Sequence, residues 1–271
     1  MAIAAVIQMT STPAVEANLA TARVLLEQAH AAGAALAVLP ENFAIMGKNE
    51  AEKLAVGELL GEGPIQSFLA RTASELGLWI VGGTVPLKVA HQPDKVAAAS
   101  LVFDAGGRLV GRYDKIHLFD VDIPERDERY RESATIAPGT ELAVVTTPIG
   151  HVGMSVCYDV RFPELFRELQ ARGAEVLSVP SAFTAPTGRA HWELLLRARA
   201  VENLSFVLAA AQGGMHDNGR ETYGDSMIVD PWGRVLARVA EPGPGVAVAE
   251  LDLTLQHELR TRFPALSHRR L

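Results

Sequence analysis

Apolar residues come in strand-length runs at residues 2–7, 36–39, 78–85, 97–103, 152–156, 176–179 and 206–210. Longer amphipathic stretches lie between several of them. Residues 14–32 and 187–203, rich in Ala, Leu, Glu and Arg, read as helices, and Pro163-Glu164 has the form of a helix's first turn, where proline gives up no hydrogen bond. Alternation of strand and helix predicts an α/β fold. Nearer the C-terminus, residues 226–229, 234–239 and 246–253 are separated by Asp230-Pro231-Trp232-Gly233 and Glu241-Pro242-Gly243-Pro244-Gly245, which predicts a meander of later strands in one sheet system. Two long segments break the pattern, 116–139 full of charge and 213–223 polar; loops of that length in a compact domain usually line sites.

No repeat, low-complexity tract or linker divides the chain, and 271 residues with 48% hydrophobic content suffice for one domain spanning residues 1–271. The formal charge is −7 with Lys and Arg scattered, so there is no basic stripe to follow a phosphate backbone, and nucleic acid is not an expected partner. The opening residues lack a charged leader and an apolar span, which predicts a cytoplasmic protein with no membrane association. One cysteine excludes an internal disulfide and a multi-thiolate metal site.

That cysteine, Cys157, follows the apolar run 152–156 and precedes Tyr158-Asp159-Val160-Arg161-Phe162-Pro163, a switch from strand to helix. A side chain at such a strand end projects above the sheet rim, and the next backbone N–H points the same way, towards a developing oxyanion. An inert core thiol is the commoner fate of a lone cysteine, and position alone leaves both readings open. Glu41 closes the run 37–40. Burial beside Leu39 and Phe43 would raise its pKa and suit it to shuttle a proton, whereas a helix cap or a solvated carboxylate fits the local sequence equally well. Lys115, entering the charged segment, is either solvated or, close to Cys157, a cation that favours thiolate and stabilises an oxyanion. Glu132 is either one acid among several in a loop or the group that holds Lys115. The eight histidines offer no helical zinc pair, and there is no Walker loop, dinucleotide-binding glycine turn or serine elbow, so neither metal nor cofactor is expected. His117 or His191 could partner Cys157 in a cysteine–histidine dyad.

Leu39-Pro40-Glu41-Asn42, Tyr113-Asp114-Lys115-Ile116-His117-Leu118-Phe119 and Val156-Cys157-Tyr158-Asp159-Val160-Arg161-Phe162-Pro163-Glu164-Leu165 together resemble the three signature segments of the nitrilase, or carbon–nitrogen hydrolase, superfamily. Each is weak alone; in the order Glu, Lys, Cys, with separations of 74 and 42 residues, they are specific. Residues 117–124, 187–193, 198–203 and 223–233 extend the resemblance to the branch of deaminated glutathione amidases and omega-amidases, with 209–214 and 227–233 more similar to the former. Asp225 departs from that branch, which usually has His there, a change that bears on which carboxylate a pocket accepts. The loop between Pro124 and Glu132 is one residue longer than the family pattern.

The resemblance implies a four-layer α-β-β-α sandwich, with Glu41, Lys115, Cys157 and Glu132 as the catalytic group and the Tyr158 backbone N–H as an oxyanion donor. It implies a substrate lined by Arg161, Phe183, Thr187 and His191. Arg189, Arg197 and Arg199 are further candidates for a carboxylate, although ion pairs could occupy Arg197 and Arg199, and Asp159 could lock Arg161. The implied reaction is hydrolysis of a small carboxylate-bearing amide, similar to deaminated glutathione, releasing ammonia through a Cys157 thioester. Alternatives are an omega-amidase acting on 2-oxoglutaramate-type substrates, a nitrile or N-carbamoyl hydrolase, and a binding protein with an inactive site. Residues 254–271 are expected to form a C-terminal arm contributing to a homodimer or larger assembly.

Overall fold

Alternate residues of the first strand enter different cores: Ala4 and Val6 face one apolar cluster, Ala5 and Ile7 the other. With both faces covered, such a strand reads as an unbroken apolar run rather than an alternating one. The computed structural model describes residues 2–49, 51–123 and 128–270. In chain order the elements are β1 (Ala2–Gln8), α1 (Val15–Ala31), β2 (Leu36–Val38), α2 (Ala51–Ala55), α3 (Pro64–Leu76), β3 (Trp79–Val81), β4 (Val85–Val89), β5 (Gln92–Phe103) and β6 (Leu109–Asp114). There follow β7 (Asp120–Ile123), β8 (Glu128–Arg131), β9 (Val144–Thr147), β10 (Gly150–Met154), α4 (Pro163–Ala171), β11 (Val176–Ser178) and α5 (Ala185–Asn203). The last are β12 (Phe206–Ala209), β13 (Gly213–Met215), β14 (Glu221–Tyr223), β15 (Ser226–Val229), β16 (Val235–Val239), β17 (Gly245–Leu251) and α6 (Leu253–Arg262).

One sheet runs β17-β1-β2-β3-β5-β4 with β6 on β5, the other β16-β15-β12-β11-β10-β9. Ala4, Val6, Leu36 and Val38 meet Val207, Met227 and Val229 between the sheets, while Trp192, Leu196 and Ala200 of α5 with Leu165, Phe166 and Leu169 of α4 cover the second sheet. Leu25 and Leu26 of α1 and Ile65, Phe68 and Leu69 of α3 cover the first. The layer order is therefore α-β-β-α. The described helices include none long and apolar enough to cross a membrane.

Four segments differ from the sequence reading. The run 78–85 is two strands, broken at Gly82-Gly83-Thr84. Gly83 has φ +49, and a Cβ there would lie 2.0 Å from the Pro40 carbonyl oxygen, so only glycine lets this turn press against the residue preceding Glu41. The segment 116–139 carries the antiparallel ribbon β7/β8, although its residues 124–127, where the longer loop was expected, lie outside the described residues. The polar segment 213–223 forms a second ribbon, β13/β14. The final meander does not stay in one sheet: β15 and β16 pair in the second, whereas β17 pairs antiparallel with β1 in the first, because the Pro-Gly break at 241–245 lets the chain cross between layers. After it, α6 docks on its own subunit, Gln256 donating to the Glu175 and Leu204 carbonyls and Arg260 to those of Leu204 and Ala174.

Candidate active site

Glu41 stands just beyond β2, Lys115 just beyond β6 and Cys157 in a 3-10 turn beyond β10; all three are buried. Lys115 Nζ lies 2.8 Å from Glu41 Oε1 and 2.8 Å and 2.9 Å from the two Glu132 oxygens. Glu132 Oε2 also accepts from the Phe119 N–H at 2.7 Å, which fixes it over the lysine. The Cys157 thiol lies beside Glu41, close enough for each to shift the other's protonation. Cys157 itself has φ +49, a left-handed conformation unusual for a residue with a side chain, and its N–H is held by the Pro180 carbonyl at 2.8 Å.

Electrostatics sets the resting protonation. Burial pushes the Cys157 thiol up and the Glu41 charge adds to it, outweighing Lys115 and the Ala182 N–H, so sulfur carries its proton at rest. Burial alone would raise Glu41 too, yet the charge and hydrogen bond of Lys115, and then the Cys157 thiol, hold it below the usual carboxylate range. Lys115 loses charge stability by burial but is pushed well up by Glu132 and then Glu41. Both directions differ from the sequence expectation of a raised Glu41 and a lysine-induced thiolate. The reasons are distinct: burial and then the Glu41 charge outweigh the lysine at sulfur, while at Glu41 the directly bonded lysine outweighs burial.

Asp159, fully buried, accepts from the Val156 N–H (2.8 Å) and Tyr113 hydroxyl (2.7 Å) on Oδ2, and from the His117 N–H (3.1 Å) and Nδ1 (2.7 Å) on Oδ1. It therefore does not lock Arg161. The Tyr113 phenol is pushed far up by burial and then by Asp159, and remains a donor. His117 is stacked on Phe162 with ring centres 3.7 Å apart, bound to Asp159 rather than to sulfur.

Glu41, Lys115, Glu132 and Cys157 line an open cavity of about 250 Å³, together with Tyr158, Arg161, Phe183 and Thr187. Arg161 lies over the Phe183 and Tyr158 rings, 5.3 Å and 5.7 Å from their centres. The structure does not bring His191 to this cavity: its ring is on the exposed side of α5, Nδ1 3.3 Å from Arg161 Nη1. Arg189 is exposed, Arg197 bonds the Gly233 carbonyl and Glu193, and buried Arg199 bonds the Val160 carbonyl and Glu202. Asp225 is likewise remote from the cavity lining, paired with Arg238 at 2.6 Å and 2.8 Å. Among the described residues no group of three or more His, Cys, Asp and Glu side chains is arranged to hold a metal.

Residues 3–261 match the Carbon-nitrogen hydrolase family. The chain belongs to the carbon–nitrogen hydrolase family. It is 43% identical over 266 residues to a deaminated glutathione amidase of Yersinia enterocolitica, covering 98% of this chain and 92% of that one. It superposes on the C. elegans NitFhit protein with a TM-score of 0.92 at 40% identity, covering all of this chain and 66% of that longer one. Saccharomyces cerevisiae Nit3, a member of branch 10 of the nitrilase superfamily, gives a TM-score of 0.88 at 31% identity, covering all of this chain and 97% of the other.

In this carbon–nitrogen hydrolase the cavity also has a wall that the sequence motifs did not reveal. Met46, Asn49, Arg129, Asn218 and Arg220 line it. Arg220, from the turn between β13 and β14, donates to the Ala182 carbonyl, sits 5.1 Å over the Tyr130 ring, and has a buried Nε with no hydrogen-bond partner among the described residues. Its placement depends on the ribbon being held against Met9, Ser11 and Thr184, which no local pattern announces.

Proposed function

We propose that this carbon–nitrogen hydrolase cleaves the amide bond of a small, carboxylate-bearing substrate of the deaminated glutathione class, with Cys157 as nucleophile. The carrying observation is the placement of a single thiol, beside Glu41, on the wall of a cavity whose buried lysine is held by two carboxylates. Support for the substrate class comes from relatives named deaminated glutathione amidase and from Arg161 and Arg220 in the cavity wall.

Glu41 accepts the thiol proton as sulfur attacks the amide carbon, and the carbonyl electron pair moves onto oxygen, which Lys115 and the Tyr158 N–H stabilise. Collapse re-forms the carbonyl and expels nitrogen, which takes the proton back from Glu41. It leaves as ammonia from a primary amide, or as an amine from a substituted one such as the γ-amide of deaminated glutathione. Water then gives a proton to Glu41 while attacking the thioester, and sulfur leaves and is reprotonated, releasing the carboxylic acid. Glu132 holds the lysine, while Phe183, Thr187 and Arg161 position the substrate. A reducing cytoplasm suits a chemistry that needs a free thiol. Exposed Leu194, Val201, Trp232 and Phe263, on α5 and the segments beside it, suit burial in a homodimer or larger assembly.

The test is intact-mass spectrometry of Glu41→Gln with a panel of amides, nitriles and N-carbamoyl compounds, run beside release of ammonia and of new amine by the natural enzyme. An acyl adduct on Cys157, and fastest turnover with carboxylate-bearing amides, is expected. Turnover that persists in Cys157→Ala would sink the proposal, and preference for a nitrile or a 2-oxoglutaramate-type amide would redirect it within the family.

A further inference from the structure

Lys115 and Cys157 come from different sheets, since β6 leads to the lysine and β10 to the thiol. Their relative position decides whether the ammonium faces an oxyanion formed at sulfur's target. Close backbone contacts hold each one separately: the Lys115 N–H and carbonyl bond Ala98 and Gly139, and the Cys157 N–H bonds Pro180. None of these three contacts joins one to the other.

Asp159 does. Three of its four donors, the Tyr113 hydroxyl and the His117 N–H and Nδ1, flank Lys115 by two residues on either side. The fourth, the Val156 N–H, belongs to the residue before Cys157, and the Asp159 N–H in turn bonds the Val156 carbonyl at 3.1 Å. Both carboxylate oxygens are thus used twice, and the carboxylate is wholly buried. The turn it closes holds Cys157 at φ +49, a conformation that persists only where the surroundings over-determine it.

We infer that Asp159 is a positioning residue that clamps the Lys115 segment to the Cys157 turn, with Tyr113 and His117 as its partners. It touches neither sulfur nor lysine nitrogen; its effect is to fix their separation. The inference rests on the proposed roles of Cys157 and Lys115. A clamp of this kind acts on the chemical step rather than on substrate affinity, because Arg161, Phe183 and Thr187, proposed to position the substrate, are not among its hydrogen-bond partners.

Asp159→Asn must turn an NH₂ towards two donors, and Tyr113→Phe removes one donor while keeping the buried ring. Kinetics are measured per titrated thiol, counted by iodoacetamide, which in a protein with one cysteine reports Cys157 alone. Asp159→Asn is expected to lower kcat on the order of 100-fold, the effect of a misplacement of about 1 Å, with KM changed less than about threefold. Tyr113→Phe, expected to lose roughly tenfold in kcat alone, decides the matter if Asp159→Asn does not fold. A folded Tyr113→Phe variant with kcat per thiol within twofold of the natural enzyme would overturn the clamp, as would a loss of activity that only tracks a loss of titratable thiol. Cys157→Ala, measured alongside, separates the failures: an active Cys157→Ala refutes the nucleophile, whereas an inactive one beside an unaffected Tyr113→Phe refutes the clamp alone.

Discussion

A thiol beside a carboxylate can rest as thiol with carboxylate or as thiolate with carboxylic acid, and here burial decides between them. Sulfur out of water disfavours charge, and Glu41 next to it adds a repulsion that Lys115, shared with Glu132, does not cancel. Glu41, the proposed base, is thus ionised at rest and Cys157, the proposed nucleophile, is not, the arrangement from which proton transfer and attack can proceed together. A pH profile follows. Glu41, held below the ordinary carboxylate range near 4.3, stays ionised through neutral pH, and the raised thiol passes its ordinary value near 8.5 without losing its proton. On this basis kcat/KM is expected to be flat from about pH 6 to about pH 9. A rise centred near 8.5 would mean that free thiolate is the reactive form, and a bell near neutrality would point to a histidine partner. His117 is not placed to be such a partner, since its Nδ1 is bonded to Asp159.

At the scale of elements, every residue of the acid–ammonium–thiol group stands where a strand ends; Glu41 and Cys157 each follow an apolar run, which made their places legible, whereas Lys115 follows the polar, largely exposed β6 and stood out only through the family resemblance. The α/β alternation was equally legible, because strands buried on both faces have unbroken apolar sequence, whereas the α-β-β-α layer order came from the family resemblance alone. The two ribbons were not. β7/β8 and β13/β14 are short, polar and supported by distant partners, so neither period nor propensity marks them. His216 shows how such a ribbon is tied down. It follows β13 and is buried, its Nδ1 donating to the Ser11 carbonyl at 2.8 Å and its Nε2 accepting from the Thr222 hydroxyl at 2.7 Å. Burial first, then the Arg220 charge, lowers its pKa below the ordinary 6.5. The unfolded chain then binds the proton more readily than the folded one, so this contribution to stability is complete above about pH 6.5 and is lost as pH falls towards the folded value. Thermal unfolding between pH 7.5 and 5.5 should show a Tm that falls with acid, and His216→Gln should flatten that fall while lowering Tm at pH 7.5. An unchanged slope in the variant would show that other groups control this range.

Over the whole molecule, charge is divided unequally. The chain carries a formal −7, yet Lys48, Arg129, Arg161 and Arg220 stand in the wall of the cavity, whose two acids, Glu41 and Glu132, are already engaged by Lys115. A negative surface with a positive opening repels anions in general and draws them to one place, an effect that salt weakens as the screening length falls to about 10 Å at 0.1 M. Under the proposed function Arg220 is the cavity arginine to test as receiver of a substrate carboxylate, since its Nη2 bonds Ala182 while its Nε has no hydrogen-bond partner among the described residues. Because Arg220 also bonds the carbonyl of Ala182, whose N–H lies beside sulfur, its removal would disturb turnover of every substrate, and a bare loss of activity would not identify the role. Comparing substrates cancels that shared loss. With Arg220→Gln, the ratio of kcat/KM for a carboxylate-bearing amide to that for a neutral amide of similar size should drop about 10- to 100-fold, the value of one charge-assisted hydrogen bond of about 1.5–3 kcal/mol. Raising salt should lower the same ratio in the natural enzyme and lower it less in the variant. Equal losses on both substrates would leave Arg220 as a brace for Ala182 and return the carboxylate to Arg161.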